Sequence, residues 1–141
     1  MRGSHLVKHW SSTQKIITLS SGEAELAGIV RGATEALGLR SLAADFGIEC
    51  GVRVYADSAA AIGICRRSGI GKVRHLAVGQ LWVQERVRSG DLELHKVLGA
   101  ENPGDLLTKH VPRELADKHL WRAGLWRSEG RADSAPDIVG V

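Results

Sequence analysis

The chain has 141 residues, 43% of them hydrophobic, which is enough for one modest core and predicts a single domain. Aromatic residues make up only 4%, so the core is expected to be aliphatic with closely approaching helices, and the composition argues against a ring-stacking surface. A formal charge of +3 suits a polyanionic partner without demonstrating one, no apolar run approaches the eighteen or so residues of a membrane span, and Cys50 and Cys65 fit neither a zinc site nor a disulfide framework.

Residues 1–4 read as a short lead. Residues 5–19 mix β-branched and aromatic positions with Ser-Ser-Thr and predict an edge strand followed by a second extended piece. Ser20-Ser21-Gly22-Glu23 is a capping-box pattern, with the Ser20 hydroxyl placed to accept first-turn N–H groups. The helix it starts is the longest in the chain: Leu26, Ile29/Val30, Ala33, Ala36/Leu37 and Leu42/Ala43 recur at helical spacing until Phe46-Gly47. Val52 to Ala56 alternates like a short strand, and Asp57-Ser58 before three alanines reads as a cap and a helix start.

A basic, glycine-containing loop over 66–72 precedes a helix predicted over 73–88, with Leu76, Leu81, Val83 and Val87 available for burial and Ser89-Gly90 as its stop. Leu92, Leu94 and Val97 mark another strand. Asn102-Pro103 then reads as a cap and first position of a helix, and Pro112 as the start of the last one. Residues 123–141 become a polar tail with little to bury. The order predicts an α/β domain over 5–122 with a mixed sheet covered by helices. With no signal-peptide core over 1–10, it is expected to be soluble and intracellular, its two cysteines small core residues.

Four passages in this order resemble the ribonuclease H region of copia-type retrotransposon Pol polyproteins: His9-Trp10-Ser11-Ser12 with Gln14, Thr18 to Glu25, Val54-Tyr55-Ala56-Asp57-Ser58, and Asn102 to Lys109. A fifth, Lys72-Val73-Arg74-His75-Leu76 leading into Trp82-Val83-Gln84-Glu85, looks like the basic and histidine motif of the same family. The chain departs from the family at Leu26, where an aromatic residue is usual, and at Ala77, where an acidic one is common. The resemblance implies a ribonuclease H-like fold that cleaves the RNA strand of RNA–DNA hybrids with two Mg²⁺ or Mn²⁺ ions. Two such ions about 4 Å apart clamp attacking and leaving oxygens and want oxygen ligands.

By the same resemblance, Glu25, Asp57 and Asp105 are the metal-ligating, catalytic carboxylates. Each also has an ordinary reading: Glu25 and Asp105 as acids near a helix N-terminus, and Asp57 as an N-cap. Glu25 lies two residues past Glu23, about 200° around the helix, so Glu23 is the cap partner. Arg66, Arg67, Lys72, Arg74 and His75 form the densest basic stretch and are the candidate nucleic-acid contacts, against the reading of a solvated loop. His95 and His110 are expected at the surface.

The family's domain opens with a strand bearing an aspartate, and nothing before Trp10 matches it. The first strand is therefore expected to be missing, leaving open edges on its neighbours and weak or no cleavage by this chain alone. A catalytically inactive or domesticated relic that binds nucleic acid is the competing expectation. The family implies upstream reverse transcriptase and integrase segments as partners, no membrane, and a cytoplasmic virus-like particle or the nucleus as the location.

Overall fold

The structure, a computed structural model, describes residues 6–12, 18, 20–69, 71 and 77–125. Contacts divide the chain into two compact units, one of residues 12–102 and one of residues 1–11 with 103–141.

The larger unit begins with α1 (Ser21–Asp45). Ser20 is its N-cap, in extended conformation, and the Ser20 Oγ accepts the Glu23 N–H at 3.3 Å, as the capping-box pattern predicts. The helix ends at Phe46, whose N–H returns to Ala43, and Gly47 follows at φ 73°, a left-handed conformation that glycine adopts without a Cβ clash. Next come β1 (Arg53–Ala56) and α2 (Ala59–Arg66). Then come α3 (Ala77–Arg88) and β2 (Glu93–Lys96), and a 3₁₀ turn over Gly99–Glu101 closes the unit. The predicted start of the third helix at 73 lies outside the described residues.

The two strands pair in parallel, with Arg53 opposite Glu93 and Tyr55 opposite His95. Parallel strands need a crossover connection, and α2 and α3 supply it. Of the expected mixed sheet, the described residues contain this parallel pair. The register brings the Arg53 guanidinium to 3.0 Å from Glu93 and stacks the Tyr55 and His95 rings at 5.3 Å. Low aromatic content thus does not prevent one exposed ring stack.

The core of the larger unit is aliphatic, as the composition predicts. Leu26, Ile29 and Ala33 from α1 meet Val52 and Ala56 at β1, Ala61, Ile62 and Cys65 from α2, Val83 from α3, and Leu92 and Leu94 at β2. Helices approach closely at Gly79, where an added Cβ would stand 3.2 Å from a Val30 methyl. Asp91, in the turn between α3 and β2, ties α1 to α3. Its carboxylate accepts Ser89 Oγ at 2.9 Å, the Arg86 guanidinium at 3.0 Å and the Arg40 guanidinium at 3.2 Å. Those hydrogen bonds, from Ser89, then Arg86, then Arg40, hold the Asp91 carboxyl below the usual carboxylate range.

In the smaller unit, Pro103 does open a helix, but it is a 3₁₀ helix of five residues, Pro103–Leu107. Asn102, expected as its cap, closes a preceding 3₁₀ turn over Gly99–Glu101. The last helix, α4 (Arg113–Arg122), starts after Pro112 as predicted. The edge strand expected over 5–19 is absent from 6–12, which carry no regular structure, while 13–17 lie outside the described residues. The Leu6 N–H is instead used by the Ala123 carbonyl at the end of α4, 3.2 Å away.

The cysteines separate in a way their sequence context did not suggest: Cys65 is buried and Cys50 is exposed, not a core residue. Burial pushes the Cys65 thiol up to about 11. Because the thiolate is the nucleophile, an aromatic disulfide reagent at about pH 8 should consume one thiol quickly and the second only on denaturation. Cys50→Ser should remove the fast phase; two thiols reacting at equal rates would mean the α2 face is open.

Candidate functional site

The candidate carboxylates are distributed over both units. Glu25 is exposed on α1, one turn beyond Ser21, while Glu23 beside it is buried. Asp57 is half-buried at the end of β1, before α2. Its competing role as an N-cap falls to its neighbour: the Ser58 Oγ accepts the Ala61 N–H at 3.2 Å. Asp57 is thereby not committed to the helix terminus, although its place in the sequence would allow it.

The two elements carrying Glu25 and Asp57 meet at their beginnings. A Cβ on Gly22 in the first turn of α1 would lie 3.7 Å from the Ala60 Cβ in the first turn of α2. Glu25 is three residues beyond that contact and Asp57 three before it. Both helix N-termini carry a partial positive charge, which favours acidic side chains and anions there.

Asp105 belongs to the smaller unit. It lies within the 3₁₀ helix and takes the Lys109 ammonium at 3.0 Å. Among the described residues, no three His, Cys, Asp or Glu side chains converge as a group that could hold a metal. Glu25 and Asp57 are the two candidates that belong to one unit. Mg²⁺ and Mn²⁺ prefer carboxylate oxygen donors, and the described residues bring no three such groups together.

Of the basic candidates, Arg66 and Arg67 are exposed, and both fold back on the protein. The Arg66 guanidinium turns back and donates to the Leu94 carbonyl at 2.7 Å, tying the end of α2 to β2. Arg67 packs its guanidinium across Gly71, where a Cβ would come within 2.6 Å of it. Lys72, Arg74 and His75 lie outside the described residues. His95 is exposed, 3.1 Å from the Glu93 carboxylate through Nε2, and His110 is exposed, as expected for surface residues. The hydrogen bonds from His95 and Arg53 hold the Glu93 carboxyl below its ordinary range.

Two residues that contact this loop are buried glutamines, of which the sequence pattern named Gln84 only within Trp82-Val83-Gln84-Glu85 and Gln80 not at all. Gln80 and Gln84 are buried on α3 at 0% and 3% exposure and reach across to the loop after α2. The available sequence signal was two amides at i and i+4 on a face otherwise expected to be apolar.

No family model matches the chain, and no solved structure matches it. A curated relative does. The retrovirus-related Pol polyprotein from transposon TNT 1-94 of Nicotiana tabacum is 33% identical over 105 residues, covering 73% of this chain and 8% of the polyprotein. No helix among the described residues is long and apolar enough to cross a membrane. Over the matched stretch, this chain is homologous to a short segment of a retrotransposon Pol polyprotein.

Proposed function

We propose that this segment is the ribonuclease H part of a copia-type Pol polyprotein, acting on RNA–DNA hybrids beside reverse transcriptase and integrase segments. Cytoplasmic virus-like particles or the nucleus are the compartments in which such a substrate arises. The observation that carries the reading is the contact between the first turns of α1 and α2, with Glu25 and Asp57 on either side of it and Ser58 relieving Asp57 of the cap. In this reading Glu25 and Asp57 are ligands of Mg²⁺ or Mn²⁺, and Asp105 stays the third candidate that the family resemblance implies. When bound, the ions supply a nucleophilic water and charge neutralisation at the phosphate. The chain's own contribution is to bring carboxylate oxygens to the ends of α1 and α2 and cationic side chains to the 66–69 loop.

A second reading, a module that binds nucleic acid without turnover, is favoured by one observation: no acidic group of three converges among the described residues. One experiment separates the two. The chain is incubated with a labelled RNA–DNA hybrid in Mg²⁺ and in Mn²⁺, beside Glu25→Gln and Asp57→Asn. The nuclease reading expects RNA-strand cleavage, weak by this chain alone, that disappears in each variant, since a lost metal ligand removes several kcal/mol of transition-state stabilisation. Cleavage unchanged in either variant would remove that residue from the site. Hybrid binding that survives EDTA, with no cleavage, would establish the binding module instead.

A further inference from the structure

Glutamine inside an aliphatic core is costly unless its amide is satisfied. Gln84 uses both ends of its amide. Its Oε1 accepts the Gly69 N–H at 3.1 Å, and its Nε2 donates to the Ile64 carbonyl at 2.9 Å and the Gly69 carbonyl at 3.0 Å. Gln80, one turn earlier, donates through Nε2 to the same Gly69 carbonyl at 3.0 Å. One turn later, the Arg88 guanidinium donates to the Ser68 hydroxyl at 3.0 Å. Residues four apart lie along one helix face, so 80, 84 and 88 form a polar stripe whose contacts described above fall on the end of α2 and the loop after it.

The loop is thereby fixed on both sides of its arginines. The Ile64 carbonyl is one of the last-turn acceptors of α2 that no intrahelical N–H reaches, and Gln84 satisfies it while gripping Gly69. Between these anchors stand Arg66, held by the Leu94 carbonyl, and Arg67, folded over Gly71. Arg88 is exposed and adds a third guanidinium to the same short stretch.

We propose that Gln80 and Gln84 are positioning residues that hold residues 66–69 as a preformed phosphate-contacting loop, and that Arg88 is a further cationic contact of that loop. The proposal rests on the nucleic-acid reading above and specifies how its basic site is built. Side chains whose backbone is already fixed lose less freedom on binding, and that saving becomes affinity.

The test measures the Kd of a labelled RNA–DNA hybrid over a range of salt concentrations for the intact chain, Gln84→Met, Arg88→Gln, Arg67→Gln and the control Arg113→Gln. Arg113 lies in the smaller unit and pairs with Asp117. Arg88→Gln should weaken binding and reduce the slope of log K against log salt by about one, as expected for one lost phosphate contact. Gln84→Met should weaken binding about tenfold, the scale of one or two side chains losing preorganisation. It should also speed hydrogen exchange at the Gly69 amide, while the thermal midpoint falls little. General loss of fold would lower the bound fraction but leave the salt slope of the remaining molecules unchanged. Where Gln84→Met does not fold, Gln80→Met removes one hydrogen bond to the loop and carries the same comparison. Binding that Arg67→Gln weakens but Gln84→Met and Arg88→Gln leave intact would overturn the positioning role and spare the functional reading. Absence of hybrid binding by the intact chain would overturn both.

Discussion

Leu26→Ala should destabilise the larger unit by about 2–5 kcal/mol, the range for emptying a leucine site in a packed core. Leu26 is 1% exposed and sits where α1 meets the aliphatic cluster that α2, α3 and both strands build. Against a net stability of about 5–15 kcal/mol for a domain, the loss would leave the unit marginal. Leu42→Ala supplies the contrast. It makes the same substitution on the same helix, but Leu42 is 52% exposed, and surface changes usually stay within about 0.5 kcal/mol. Urea unfolding measures both as shifts in midpoint at unchanged slope. Equal costs at the two positions would mean that the far half of α1 is covered in solution and that the exposed Leu39, Leu42 and Phe46 belong to an interface.

That contrast also marks how far the sequence could be read. The start and stop of α1 were legible because each is local chemistry: a Ser20 hydroxyl over the first turn, and a glycine at positive φ after Phe46. Burial along α1 was legible only for its first half. Helical spacing continues through Leu42 to Phe46, yet a 25-residue helix is about 37 Å long, whereas a four-residue strand spans only about 13 Å. The far turns overrun the strands, and periodicity alone carries no information about where the partner elements end. The same limit explains α3, where Leu81 is 44% exposed and Gln80 fully buried. Amides can take core positions when a neighbouring loop offers its backbone groups, and that neighbour is set by tertiary contact. Around the candidate carboxylates, Asp57-Ser58 left two residues eligible to cap α2, and the structure assigns the cap to Ser58. Near Pro103 the cap and proline signals located a helix start but not its type. The segment forms one short 3₁₀ helix, with the Thr108 hydroxyl bonded back to the Gly104 carbonyl at 3.2 Å, and Pro112 disfavours helical conformation in the residue before it.

His119→Leu should stabilise the smaller unit. Two of the histidines that the sequence brought forward, His95 and His110, are exposed, whereas His119 on α4 is 0% exposed and lies on one face with Ala116 and Ala123. Among the described residues, neither of its ring nitrogens has a hydrogen-bond partner. A buried polar group without a partner costs about 1–3 kcal/mol in lost hydration, and replacing it by an apolar side chain of similar size recovers much of that cost. Leucine is close to histidine in volume, so packing against Ala116 and Ala123 should survive while the unsatisfied nitrogens disappear. His119→Asn should act oppositely, because it keeps a buried polar group and also leaves a cavity. Thermal unfolding of the whole chain, followed by a probe in α4, should show a raised midpoint for His119→Leu and a lowered one for His119→Asn. A lowered midpoint for both would show that the imidazole is bonded in solution, and that α4 is held by a polar contact to the ring as well as by its small apolar face.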